Sequence, residues 1–145
     1  MPDNANAKAI MNYMEALSAG DSSKMRQALA DDIVFDGLMF QSNCFESVVK
    51  LAEGSATNTK SMKIEAITEC ADPNHYLVLF WMKFAGTSDN ESVAICDYIT
   101  LKDGKIKRIN NVFDVNKVPQ KIKDAARAAA ETQAKMEKCT NPLAV

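Results

Sequence analysis

The sequence predicts a single α+β domain in which helices pack on one face of a curved antiparallel sheet. Helical periodicity occupies the first part of the chain, a run of alternating strands follows, and an Ala-rich helical segment comes last. This separation of helices from strands is typical of α+β architecture. A chain of 145 residues can bury a substantial core within one domain.

The N-terminal part carries the signals of two helices. Apolar residues at i, i+3, i+4 and i+7 form one face of the first helix: Ile10, Tyr13, Met14 and Leu17. Gly20 is suited to end this helix, and Asp21 to cap a second, shorter one. A strand is then expected over residues 33–40, interrupted at Asp36-Gly37.

A third helix is predicted after residues 43–46, where Asn-Cys-Phe-Glu has the layout of a capping box with Asn43 as the N-cap. We expect this helix to end near Gly54 and a polar loop to follow over residues 55–59. The next strand is predicted over residues 62–70, where apolar and polar residues alternate.

The segment 75–85 is a long apolar strand that contains Trp81, the only tryptophan. Because both of its faces are apolar, the sequence predicts a central strand that is covered on both sides. The helices can cover only one sheet face, so we also expect a homodimer formed through the outer face of the sheet.

Residues 91–114 predict a β-hairpin, because Asp103-Gly104 is a favoured two-residue turn. On its first strand, Asp97 shares one face with apolar residues: Val93, Ile95, Ile99 and Leu101. A carboxylate in such a row is costly to bury unless it is paired or protonated. We therefore expect Asp97 to point inward, line a pocket and have a raised pKa, unless donors such as the Tyr13 hydroxyl or the Asn111 amide favour the carboxylate.

The last segment predicts a C-terminal helix over residues 118–139, which are rich in Ala, Lys and Glu. Pro119 lies near its start, where helices tolerate proline. The predicted domain organisation is therefore a domain over residues 1–117 and a helical extension over residues 118–145 that packs on the same domain.

Composition argues against several classes of function. A net charge of −2 gives no electrostatic footprint for nucleic acid or an anionic membrane surface. No apolar run reaches the roughly 20 residues needed to cross a bilayer, and the N-terminus lacks a signal-peptide pattern. Four scattered cysteines and a single histidine predict a cytoplasmic protein with reduced thiols, no metal site and no cofactor.

Two segments together resemble a known superfamily. Residues 12–35, NYMEALSAGDSSKMRQALADDIVF, resemble the opening of NTF2-like, or SnoaL-like, proteins, and residues 97–114, DYITLKDGKIKRINNVFD, resemble their closing hairpin. The resemblance covers roughly residues 5–115. It implies a cystatin-like cone, in which a bent sheet wraps a long helix and encloses a pocket. One such fold hosts many activities.

Ketosteroid isomerases of this superfamily use a helix-1 Tyr, a protonated strand Asp and a carboxylate base. Tyr13 resembles that Tyr, because it precedes the Ala-Gly-Asp step at the same distance, and Asp97 resembles the strand Asp. The base position falls at Gly37. Its neighbour Asp36 points to the opposite face of a regular strand, so Asp36 replaces the base only if the strand shifts or bulges.

Limonene epoxide hydrolase-like members instead use an Arg-x-Asp on the penultimate strand and an Asp on the last strand. Asp97 resembles the first Asp, but Ile95 occupies the Arg position and Asn111 the position of the last Asp. An amide cannot act as a general base for water. The resemblance therefore implies a broken triad.

Two functions follow from these residues. In the first, a SnoaL-like pocket protein acts on a small hydrophobic substrate by isomerase-like or cyclase-like proton transfer, with Tyr13 and Asp97 as the catalytic residues. Four further residues are candidates for ligand binding: Asn111, Asp36, Trp81 and Phe113. In the alternative, a non-catalytic NTF2-like module binds ligands or dimerises, and Tyr13 and Asp97 are only core residues that satisfy one another.

Overall fold

The computed structural model describes residues 4–86 and 91–136. Within them it contains four α-helices: α1 (Ala5–Ala19), α2 (Ser22–Ala28), α3 (Phe45–Asn58) and α4 (Gln120–Met136). It also contains six strands: β1 (Leu29–Asp36), β2 (Gln41–Ser42), β3 (Thr59–Glu69), β4 (His75–Phe84), β5 (Val93–Lys102) and β6 (Lys105–Phe113). A short 3-10 helix, Val115–Lys117, precedes α4. The predicted α+β fold class is confirmed.

The strands form one curved, unclosed sheet in the order β2-β1-β6-β5-β4-β3. Neighbouring strands are antiparallel except for β1 and β6, which are parallel. The sequence predicted an antiparallel sheet throughout. The parallel pair arises because β1 enters the sheet from α2 and lies beside the last strand, which is far away in sequence, and such a pair cannot be joined by a hairpin.

The first helix ends and the second begins as predicted, but α2 ends at Ala28 and β1 already starts at Leu29, whereas the sequence placed the start of this strand at residue 33. Gly20 caps α1 with a left-handed φ of 71°, and the Asp21 side chain accepts a hydrogen bond from the Lys24 backbone N–H at the start of α2. The third helix differs, because its N-cap is Cys44 rather than Asn43 and it continues past Gly54 to Asn58. A glycine inside a helix costs only about 1 kcal/mol, which tertiary packing overrides.

The predicted hairpin is confirmed. Asp103 and Gly104 both have positive φ, 53° and 75°, as a type I′ turn between two strands requires. The inward row of β5 is buried as expected, and Asp97 lies within it with 0% of its surface exposed. The turn and the alternation together fix which face of β5 meets the core.

Strand β4 has one buried face and one open face. Tyr76, Val78 and Phe80 are buried, whereas Leu77 is 41% and Trp81 38% exposed. The prediction that both faces are covered is therefore wrong within the part of this chain that the structure describes. Period-2 alternation separates the two faces but does not say which elements lie over them.

The start of α4 belongs to the core. Val118 and Ile122 are 3% and 7% exposed and join the main hydrophobic cluster. This part of the extension therefore packs on the domain. The predicted helix end at Cys139 lies outside the described residues, and the division at residue 117 stays a prediction.

The cysteines are in two states. Cys44 is disulfide-bonded, whereas Cys70 and Cys96 are free. This corrects the expectation that the thiols are reduced throughout, because wide spacing along the sequence does not exclude contact in the fold. Across residues 4–86 and 91–136, the structure contains no helix of the length and apolarity needed to cross a membrane.

Candidate functional site

A cavity of about 220 Å³ lies between the sheet and the helices. Aromatic and aliphatic side chains from both layers form most of its wall, among them Leu17, Phe35, Phe80, Met82, Ile95 and Phe113. Ile122, Ala125 and Ala126 of α4 line it as well. A mostly apolar wall with a few polar groups is typical of small-molecule sites.

Three of the predicted polar residues meet at this site. The Tyr13 hydroxyl of α1 donates a hydrogen bond to Asp97 Oδ2 over 3.5 Å, and Asn111 Nδ2 donates to Asp97 Oδ1 over 2.5 Å. The helical period turns Tyr13 inward, and the register of the hairpin sets Asp97 opposite Asn111. Both carboxyl oxygens of Asp97 thus have a partner.

Tyr13 and Asn111 line the cavity, whereas Asp97 does not. A molecule in the cavity is therefore separated from the Asp97 carboxyl group by these two side chains. Asp97 is fully buried and bonded to both of these residues. This differs from the expectation that Asp97 itself lines the pocket. A molecule in the cavity meets a phenol and an amide, with the carboxyl group behind them.

Burial raises the pKa values of both Asp97 and Tyr13. Desolvation raises the pKa of Asp97 to about 7, and the hydrogen bonds from Asn111 and Tyr13 oppose this shift. Burial, followed by the neighbouring Asp97 charge, raises the pKa of Tyr13 well above its ordinary value. Near neutral pH, Asp97 therefore populates both of its protonation states, while Tyr13 stays a neutral hydroxyl that can donate.

The base position implied by the isomerase resemblance is closed. Gly37 is buried, and a Cβ placed on it would lie 2.8 Å from the Phe35 ring and 3.0 Å from the Phe40 carbonyl oxygen. Asp36 instead accepts hydrogen bonds from Arg108 (3.1 Å) and from the Gln41 side chain (3.4 Å). It does not line the cavity, which corrects its assignment as a ligand-binding residue.

The two aromatic candidates lie on opposite sides of the sheet. Phe113 lines the cavity, as the sequence predicts. Trp81 points away from it on the outer face, and its indole Nε1 donates to Glu65 Oε1 over 3.0 Å. Its assignment to the ligand site is corrected, because β4 is apolar on both faces and the pattern alone could not choose between them.

Sequence reasoning missed the part of the wall that α3 contributes. Ser47, Lys50 and Leu51 line the cavity. Ser47 is 2% exposed, and its hydroxyl has no hydrogen-bond partner among the residues that the structure describes. Their spacing of three and four residues places them on one face of the helix, which is the signal that could have found them.

The charged groups of the wall are few. Among the described residues that line the cavity, Lys50 is the one charged side chain, and none is Asp, Glu or His. Groups of three or more potential metal-ligating side chains are not found in the described ranges. The site therefore offers hydrogen-bond donors and one cation, and its wall lacks a carboxylate or imidazole base.

Comparisons with known proteins agree with this architecture. A family model described as a SnoaL-like domain matches residues 10–109. The chain belongs to the SnoaL-like family. A search of curated protein sequences finds no match to this SnoaL-like protein.

Solved structures with the same fold carry several different titles. A steroid delta-isomerase from Pseudomonas aeruginosa is 15% identical, with a TM-score of 0.67, covering 92% of this chain and 93% of that one. An LEH-like epoxide hydrolase from M. tuberculosis is 19% identical (TM-score 0.62; 92% and 98% covered). A putative polyketide cyclase from Sinorhizobium meliloti is 17% identical (TM-score 0.62; 77% and 95% covered). Similarity at these identities establishes the shared fold of the SnoaL-like protein.

Proposed function

We propose that this SnoaL-like protein binds a small, largely apolar molecule in its cavity and donates a hydrogen bond from Tyr13 to an oxygen of that molecule. The observation that carries the proposal is that Tyr13 lines the cavity and that its hydroxyl bonds to the buried Asp97. A protonated Asp97 no longer needs the hydrogen of Tyr13, so the phenol is free to donate to a ligand oxygen. The Asn111 side chain lies beside it.

Binding is favoured over proton abstraction because the wall lacks a base. The described lining residues include no carboxylate and no imidazole, and the space around Gly37 cannot accept a larger side chain. A general base must lie within hydrogen-bond reach of the proton that it removes. The geometry supports a pocket that holds and polarises an oxygen.

A proton-transfer enzyme is the second candidate, and one observation favours it. Asp97 has a pKa of about 7 and contacts a tyrosine that lines the cavity, so Tyr13 can deliver a proton to a ligand oxygen while Asp97 replaces it. A pKa near the operating pH is suited to acid catalysis. The structural neighbours titled steroid delta-isomerase and putative polyketide cyclase support an isomerase-like or cyclase-like reaction.

Titration with 2-naphthol, a neutral fluorescent aromatic alcohol, tests the binding proposal. We expect saturable binding to the wild type, and a loss of about tenfold in affinity in Tyr13→Phe, which keeps the ring and removes the donor. Tyr98→Phe is the matched control, because Tyr98 does not line the cavity. Equal affinity in wild type and Tyr13→Phe would reject the role of the hydroxyl.

Hydrogen exchange at the carbon next to the carbonyl of 2-tetralone, followed by NMR in D2O, tests the enzymatic candidate. A catalyst accelerates this exchange over buffer, and Tyr13→Phe loses the acceleration. Binding of 2-tetralone without acceleration rejects proton transfer for this ketone and leaves the binding proposal intact.

We also propose that the protein forms a homodimer through the outer face of the sheet. Leu77, Trp81 and Val112 are 41%, 38% and 60% exposed on this face. Their strands, β4 and β6, flank β5 on its two sides, since Leu77 pairs with Tyr98 and Val112 with Cys96. Contiguous exposed apolar surface marks interaction sites, and a second copy of the same face is self-complementary about a two-fold axis.

A further inference from the structure

Ser47 presents a polar atom that the protein leaves unused. It lies in the first turn of α3, is 2% exposed and lines the cavity. A helical serine can usually bond to the backbone carbonyl four residues earlier. The Ser47 hydroxyl has no partner among the described residues. A buried hydroxyl without a partner costs free energy, so a ligand group that bonds to it regains that cost.

Lys50 brings positive charge to the same wall. It lies one turn after Ser47 and is exposed, so it marks the end of the cavity that reaches solvent. The two acidic residues of α3, Glu46 and Glu53, do not line the cavity, and Arg26 binds both carboxylate oxygens of Glu46, at 2.6 and 2.7 Å. The charged side chain that α3 contributes to the described cavity wall is therefore the positive Lys50.

The direction of α3 adds to this charge. The N-terminal turn of a helix carries partial positive charge from its free N–H groups. The N-cap residue Cys44 gives this turn no side-chain hydrogen bond. Ser47, in this first turn, therefore lies where the backbone also favours an anion.

We propose that the cavity takes an amphipathic acid, a molecule with an apolar body, one oxygen that meets Tyr13, and a carboxylate that binds the Ser47 hydroxyl and the Lys50 ammonium. This inference rests on the proposed function, because it assigns a second polar group to the same ligand. It makes α3 the determinant of ligand choice. Neutral molecules of the same shape bind more weakly than the acid.

Three probes of one scaffold test the inference: 6-hydroxy-2-naphthoic acid, its methyl ester and 2-naphthol, titrated by fluorescence at pH 6. We expect the acid to bind the wild type about tenfold more tightly than the ester, as for a hydrogen-bonded and partly exposed ion pair. Lys50→Met removes this preference, so the acid and the ester bind this variant with similar affinity. Ser47→Ala lowers the affinity for the acid about threefold or more.

Matched controls are Lys63→Met and Ser61→Ala, two exposed residues that do not line the cavity. Both keep the preference for the acid. Equal affinity for acid and ester in the wild type, or an unchanged affinity for the acid in either test variant, overturns the inference. If the preference for the acid fails but 2-naphthol still binds, with an affinity that Tyr13→Phe lowers, the proposed function survives. If none of the three probes binds, the proposed function and this inference fail together.

Discussion

Asp97 and Asn111 lie directly opposite each other on β5 and β6, and the Asn111 amide donates to the Asp97 carboxyl over 2.5 Å. A two-residue turn joins these strands, and a one-residue shift of register between Thr100 and Leu101 then sets Asp97 opposite Asn111 rather than Asn110. Tyr13 reaches the other carboxyl oxygen from α1, 84 residues away in sequence. The β5–β6 hairpin thus supplies Asp97 and Asn111, and the distant helix α1 supplies Tyr13, the third member of the hydrogen-bonded cluster.

The protonation of Asp97 makes stability depend on pH. Its pKa rises from an ordinary value of 3.8 to about 7 on folding, so the folded state holds a proton that the unfolded state releases. Stability from this group is fully present below about pH 4 and is lost as pH rises to about 7, by about 4 kcal/mol. Urea denaturation of wild type and Asp97→Asn across this range measures the loss.

The Asp97→Asn variant cannot titrate at this position. We expect the free energy of unfolding of the variant to increase relative to that of the wild type as pH rises from about 4 to 7. Above that range the difference between the two should stay constant. Asp36→Asn is a control, because Asp36 is partly exposed and paired with Arg108. A constant difference between wild type and Asp97→Asn at every pH would contradict the raised pKa.

Ligand affinity has its own pH dependence. Ionised Asp97 accepts the hydrogen bond of Tyr13, whereas protonated Asp97 leaves that hydroxyl free for a ligand. We therefore expect the affinity for 2-naphthol to fall as pH rises from about 6 to 8, through the pKa of about 7. In Tyr13→Phe this decline disappears. Fluorescence titrations at several pH values measure this dependence, and an affinity of the wild type that stays constant from pH 6 to 8 would argue against the coupling.

Gly37 is required by its surroundings. A methyl group there would lie 2.8 Å from the Phe35 ring and 3.0 Å from the Phe40 carbonyl oxygen. We expect Gly37→Ala to lower the free energy of unfolding by about 1–3 kcal/mol, the usual cost of overpacking. Gly54→Ala is the matched control, since nothing lies within 4 Å of its added Cβ; it should stabilise α3 by about 0.5–1 kcal/mol. Denaturant melts that rank the two variants the other way would refute this account.

The dimer prediction concerns the outer face of the sheet. Leu77→Glu and Val112→Glu place charge on this face, so we expect them to shift the protein from dimer to monomer in sedimentation velocity at micromolar concentration. Leu38→Glu, which alters an exposed apolar residue (56%) in the segment between β1 and β2, should leave the dimer intact. A wild type that sediments as a monomer would end the proposal.

The attachment of α4 can be measured through Ile122, which is 7% exposed and lines the cavity. Ile122→Ala removes buried methyl groups, and large-to-small core changes of this kind cost about 2–5 kcal/mol. Lys121→Ala, an exposed neighbour, should leave stability nearly unchanged. Equal melting temperatures for both variants would mean that this helix contributes little to the fold.

Local patterns predicted the inward residues and failed where packing between elements decides. Period 2 on β5 and period 3.6 on α1 correctly predicted that Asp97 and Tyr13 point inward, because the direction of each side chain depends only on the strand or helix that carries it. Trp81 was misplaced because β4 is apolar on both faces. The spacing of Ser47, Lys50 and Leu51 indicates that they share one face of α3, but whether that face meets a cavity depends on how α3 lies over a sheet whose strands come mostly later in the sequence.

The parallel pairing of β1 with β6 has a consequence for the order of folding. Its partners Phe35 and Ile109 are brought together only after most of the chain exists, so the sheet cannot be completed on the ribosome before β6 emerges. Such long-range pairing slows folding. We expect nascent chains stalled before residue 105 to be cleaved readily by protease, and chains stalled well beyond α4 to resist it. Resistance in the shorter chains would show that the earlier strands close without their last neighbour.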